Sequence, residues 1–89
     1  MNKDQALRKV AVISAILEEP ELCQVEFNNV VSEYKSIIRG RMGIPFDEGK
    51  IGVVSLTVIG SLDQVNSLTG RLGNIPHVSV KTAISKKEI

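Results

Sequence analysis

From Arg8 to Leu17 the chain is almost continuously apolar, and the run stops at Glu18, Glu19 and Pro20. An apolar run of that length bounded by breakers predicts a buried strand. From Pro20 to about Tyr34, Cys23, Phe27, Val30, Val31 and Tyr34 recur at steps of three and four, with Glu26, Asn29 and Ser32 between them. That period predicts an amphipathic helix, and Pro20 suits its first turn because an N–H there has no helical partner. Ile37 to Ile44 predicts a second strand and Lys50 to Ile59 a third, joined by Pro45, Asp47, Glu48 and Gly49 as an antiparallel hairpin. Ser61-Leu62-Asp63-Gln64 has capping-box spacing, Val65, Leu68 and Leu72 mark a buried stripe, and Gly73 and Asn74 are stop signals for a second helix. Gly70 inside it is expected to allow close helix packing. A last strand is predicted over Val78 to Ile84, where Val78, Val80 and Ile84 alternate with Ser79, Lys81 and Ser85. The closing Lys86-Lys87-Glu88-Ile89 is expected to fray.

The order β-α-β-β-α-β specifies an α+β, ferredoxin-like fold: a four-stranded antiparallel sheet with two helices on one face. It spans residues 8–85, between a polar lead of 1–7 and a tail of 86–89. The other sheet face then needs a cover. In the first strand both alternating sets are apolar, Val10, Val12 and Ile16 against Ala11, Ile13, Ala15 and Leu17, whereas a solvated antiparallel face alternates with polar residues. Ala11, Ile13 and Ala15 are taken as the interface face, covered by a second subunit. Strict alternation sends Ile38, Met42 and Ile44 to the helices and Arg39 and Arg41 to the open face, with Ser55 and Thr57, or with Ser79 and Lys81. The effector or interface candidates are therefore Arg39, Arg41, Met42, Gly43, Ser55 and Thr57, an apolar centre with a basic and polar rim.

Composition narrows the chemistry. The 89 residues include two Phe, one Tyr and no Trp, so Val, Ile and Leu must build the core of what reads as one domain. A net charge of +1 lacks the basic excess of a nucleic-acid binder. The RNA-recognition motif shares this strand order, but the positions of its stacking aromatics hold Val10 to Ala15 and Gly52 to Thr57. Lys3, Arg8, Lys9, Lys86 and Lys87 read as a solvated edge that discourages strand addition. His77 and Cys23 are the single imidazole and the single thiol, so one subunit cannot supply a closed His and Cys metal set. No metal or cofactor is implied. A nucleophilic Cys23 would need His77 and an orienting third group beside it. The carboxylate pairs Glu18-Glu19 and Asp47-Glu48 sit in turn-like, solvated stretches and read as solubility and turn residues. Gly40, Gly43, Gly49 and Gly52 do not fit a dinucleotide fingerprint and read as a strand bulge or a close backbone approach. No signal-like start or membrane-length apolar run is present, and a lone thiol suits a reducing interior, so the expectation is a soluble, unprocessed cytoplasmic protein without membrane contact.

Three segments carry a family resemblance: Arg8 to Ile16, Ile38 to Pro45, and Leu68 to Pro76 with Val78 to Lys81. Together they resemble the small ACT-like proteins described as iron-only hydrogenase system regulators, over nearly the whole chain and in order. The resemblance implies a regulatory module of ferredoxin-like fold. Similar modules bind small effectors, often amino acids, at subunit interfaces, and a related fold forms the nickel-sensing, tetramerising half of a bacterial repressor. Where amino-acid-binding ACT domains have a small, often glycine-containing loop, this chain has Glu18-Glu19-Pro20-Glu21, and it lacks the repressor's histidines. Nickel sensing therefore does not transfer.

The reading is a non-catalytic regulator that acts as a homodimer or homotetramer, takes a small-molecule effector and serves the iron-only hydrogenase system of an anaerobic bacterium. With no DNA-binding segment in the sequence, a transcriptional effect requires a partner protein. A pure assembly module without an effector is the alternative, and a small enzyme with its site at a dimer junction is a third class.

Overall fold

The computed structural model describes residues 7–89, and the elements follow in the expected order: β1 (Lys9–Leu17), α1 (Pro20–Glu33), β2 (Ile38–Phe46), β3 (Ile51–Gly60), α2 (Leu62–Gly73) and β4 (Val78–Glu88). The strands form one antiparallel sheet in the order β2-β3-β1-β4, the ferredoxin-like arrangement. Of the expected lead, residues 1–6, Lys3 among them, lie outside the described residues. No described helix is long and apolar enough to cross a membrane.

The core lies between the helices and one sheet face. Cys23, Phe27, Val30 and Val31 of α1 and Val65, Leu68 and Leu72 of α2 pack on Ala11, Ile13, Ala15 and Leu17 of β1 and Val54, Leu56 and Val58 of β3. Two local devices set the helix starts. Pro20 opens α1, whereas α2 opens on a complete capping box: Gln64 N–H donates to Ser61 Oγ at 3.1 Å and Ser61 N–H donates to Gln64 Oε1 at 2.9 Å.

Three expectations are corrected. Ala11, Ile13 and Ala15 are at most 1% exposed and belong to the core under the helices, so β1 presents Val10, Val12, Ser14 and Ile16 to the open face instead. Both sets of β1 are apolar, and the larger residues of the buried strand gave no cue to the side. The residues after Ile84 do not fray: β4 runs on to Glu88, which pairs with Lys9, and Ile89 N–H donates to Arg8 O at 3.0 Å. Here β4 carries extra residues against β1, and Ser85 Oγ stands in for the missing ladder acceptor by receiving Val10 N–H at 3.1 Å. Gly70 faces open space, so it is not a packing glycine. A Cβ at Gly73 would instead meet Val80 Cγ2 at 3.2 Å.

A second irregularity decides where the candidate site residues point. Ile38 pairs with Val58 and Gly40 with Thr57, leaving Arg39 as an extra residue in β2. One added residue moves every later side chain to the opposite face.

Candidate functional site

Beyond this bulge, Arg41 aligns with Leu56 and Gly43 with Val54, both buried beneath the helices, and so Arg41 and Gly43 lie on the helix side of the sheet. Met42 aligns with Ser55 and Ile44 with Val53 on the open side. Arg39, Arg41, Ser55 and Thr57 were expected together on the open face and Met42 under the helices, and the structure divides the six candidates differently. Arg41 and Gly43 stand on the helix side; Met42, Ser55 and Thr57 stand on the open face; Arg39 is the exposed bulge residue. The assignment of Ile38 to the helix side holds, while that of Met42 and Ile44 is reversed by the bulge.

On the helix side, α1 does not reach over the β2–β3 hairpin, and a cleft of about 520 Å³ opens between them. Leu17, Phe27 and Val54 form its apolar base, and Gly43 and Gly52 contribute no side chain to fill it. At one end Arg41 Nη2 donates to Asn28 Oδ1 at 2.6 Å, and the guanidinium carbon lies 5.9 Å from the Phe27 ring centroid. That is the outer limit of a cation–π contact. At the other end stand Pro20 and Glu21 of α1 with Asp47 and Lys50 of the hairpin turn. Lys50 turns the chain with φ of 52°, in the left-handed region, although Gly49 precedes it. The cleft was not legible in the sequence, since it needs Gln24 and Asn28 on α1 to face a strand whose register had shifted. The one visible signal was the pair of glycines, Gly43 and Gly52, in facing strands.

The open face is of a different character. Three rows cross all four strands: Gly40, Thr57, Val12, Ala83; then Met42, Ser55, Ser14, Lys81; then Ile44, Val53, Ile16, Ser79. Lys81 is the single charge in them. Val12, Ile16, Met42, Ile44 and Phe46 are 42 to 66% exposed, which is far from the alternation expected of a solvated sheet face. The apolar centre moved from Ala11, Ile13 and Ala15 to these larger residues, and the basic rim shrank because Arg41 left it.

The remaining reactive groups are tied into the fold. Cys23 is buried, its Sγ donates to Glu19 O at 3.3 Å, and burial pushes the thiol up from its ordinary range. A thiol sealed inside the protomer is poorly placed either as a nucleophile or as half of a metal site between subunits. His77 forms the turn into β4 with φ of 72°, its carbonyl accepting Glu18 N–H at 2.9 Å. Among the described residues no three His, Cys, Asp or Glu side chains gather as a metal site. Across the helix pair, Arg71 grips both Glu33 carboxylate oxygens at 2.9 Å and lies 5.6 Å from the Tyr34 ring centroid, while Tyr34 Oη and Ser67 Oγ share a hydrogen bond of 2.6 Å. The Arg71 hydrogen bonds hold the Glu33 carboxyl below its ordinary value of 4.5.

Comparison with known proteins adds a family. A family model described as "TM1266-like: Iron-only hydrogenase system regulator, putative" matches residues 9–82. Among solved structures, the uncharacterized protein TM1266 of Thermotoga maritima is 25% identical, with a TM-score of 0.85 over 89% of this chain and 99% of that one. The ACT domain of a GTP pyrophosphokinase from Chlorobium tepidum is 20% identical, with a TM-score of 0.70 over 85% of this chain and 99% of that one. The C-terminal domain of the MgtC protein from Mycobacterium tuberculosis is 14% identical, with a TM-score of 0.67 over 93% of each chain. The last two share the fold alone. Comparison with curated proteins gives no match.

Proposed function

Given that this chain belongs to the TM1266-like family of iron-only hydrogenase system regulators, we propose that it works as a non-catalytic module, a homo-oligomer closed through its open sheet face and responsive to a small effector. The observation that carries the oligomer is the open face itself: three rows across four strands with one charged side chain, Lys81. Four strands at about 4.8 Å spacing and three rows spanning about 14 Å carry Val12, Ile16, Met42, Ile44 and Val53 side by side, and contiguous exposed apolar surface of that kind marks an interaction site. A second copy supplies a matching apolar face without any new complementarity, because a two-fold interface is self-complementary. The absence of a catalytic role is supported by the buried, raised Cys23 thiol and by the Glu33 carboxylate already held by Arg71. Both helices are committed to the sheet, so action on a promoter would pass through a partner protein.

Val12→Asp combined with Ile16→Asp tests this reading, since both side chains are more than two-fifths exposed in the protomer and neither touches the core. Analytical ultracentrifugation is expected to show an oligomer for the native chain and a folded monomer for the variant. A native chain that sediments as a monomer, or a variant with the native mass, overturns it. The second reading, assembly without an effector, rests on the same face and differs in leaving the helix-side cleft without a role.

A further inference from the structure

We propose that the cleft between α1 and the β2–β3 hairpin binds a small organic monoanion with an apolar body, its carboxylate held by Arg41. The inference deepens the effector part of the reading above and is independent of the oligomer part. Three observations carry it. The cleft's 520 Å³ falls within the roughly 300–1,000 Å³ of small-molecule sites, and its base of Leu17, Phe27 and Val54 is apolar. Arg41 is a cation without a carboxylate: its hydrogen-bond partner is the neutral Asn28 amide, and the single salt bridge among the described residues is Arg71 to Glu33. Asn28 and Phe27 fix the guanidinium at one end of the cleft while leaving most of its five donors for a ligand, the arrangement in which a planar fork grips a carboxylate.

The shape and the charges then restrict the ligand. Between Arg41 and Pro45 the strand advances by about 13 Å, and between Asn28 and Glu21 the helix advances by about 10 Å. A ligand headed by Arg41 can lay an apolar body of about that length over Gly43 and Gly52, where side chains would otherwise stand. Glu21 and Asp47 line the far end with one cation, Lys50, so two carboxylates outnumber it there and a second negative group on the ligand meets a net like charge. The cleft accordingly favours a monocarboxylate over a dicarboxylate of equal length.

The test titrates the full-length protein with 4-phenylbutyrate and octanoate at millimolar concentration, with 4-phenylbutanamide and suberate as neutral and dianionic controls, followed by amide NMR. Expected are shifts at Gln24, Asn28, Gly43 and Gly52 with the two monocarboxylates, and binding weaker by about tenfold or more for the amide, as the loss of a charge-assisted pair implies. Arg41→Met is expected to abolish that preference for acid over amide. Gly43→Leu keeps Arg41 and fills the cleft, since a Cβ there has no heavy atom closer than 3.9 Å; it is expected to block both acids while the circular dichroism spectrum stays native. Equal binding of acid and amide, or acid binding unchanged in either variant, overturns the site. Shifts confined to Ser14, Ser55 and Thr57 overturn it while leaving an effector on the open face. No binding by a protein that remains oligomeric overturns both the site and the effector, and leaves the assembly reading standing.

Discussion

Gly70 is the residue whose replacement the structure judges most clearly. It sits inside α2 with open space where a side chain would be, so Gly70→Ala removes the excess backbone entropy of glycine without a steric cost. The expected gain is about 0.5–1 kcal/mol in urea unfolding. Gly73→Ala is expected to fall below Gly70→Ala, because its Cβ would press on Val80 Cγ2 at 3.2 Å. A second residue-scale prediction follows from Glu33. Its carboxyl is depressed in the folded state by the Arg71 hydrogen bonds, so its contribution is complete above the ordinary value near 4.5 and is lost as pH falls through the lowered one. Thermal unfolding of the native chain compared with Glu33→Gln is expected to show a gap at neutral pH that closes in acid. At this scale the sequence was a good guide to buried helix positions, each of Cys23, Phe27, Val30 and Val31 being in the core. Arg41 was beyond its reach, since its side depends on a residue two positions away being extra.

Among elements, the helices were the more legible because their signals are local. The Ser61 and Gln64 capping box, the stripe of Val65, Leu68 and Leu72, and Pro20 in the first turn of α1 all stand as the spacing indicates. Strand faces were less legible because a period of two has no tolerance for an inserted residue. The bulge at Arg39 reversed the faces of Met42 and Ile44, and in β1 both sets were apolar, so Ala11, Ile13 and Ala15 could not be told from Val12 and Ile16 by pattern. The polar end of β4 was hidden for another reason: its pairing with Lys9 is carried by backbone groups and by Ser85 Oγ in place of a ladder acceptor. Ser85→Ala removes that acceptor from Val10 N–H and is expected to cost about 1 kcal/mol. Hydrogen exchange should show it as faster loss of protection at Val10 and along 86–88, with α1 unaffected.

For the whole molecule, the two sides of the sheet differ in character. The helix side is a packed core with an unfilled cleft beside it, where Arg41 stands without a counter-charge among the described residues. The other side is a sheet face on which Val12, Ile16, Met42 and Ile44 stand exposed among serines, a threonine and Lys81, with no second layer among the described residues. A layered domain buries its apolar sheet faces, which is the ground for the proposed second subunit. The chain belongs to a family of iron-only hydrogenase system regulators. The general plan, two helices over one sheet face with the other left apolar, was readable from the order of elements and from β1; which residues make that face required the register.

The measurement that bears most directly on this account is the mass of the native protein by gentle native mass spectrometry. A dimer or tetramer of the 9.7 kDa chain is expected, reduced to a folded monomer by Val12→Asp with Ile16→Asp. A native chain found as a monomer at micromolar concentration would contradict it, because the apolar face of Val12, Ile16, Met42 and Ile44 would then stand uncovered in the working protein.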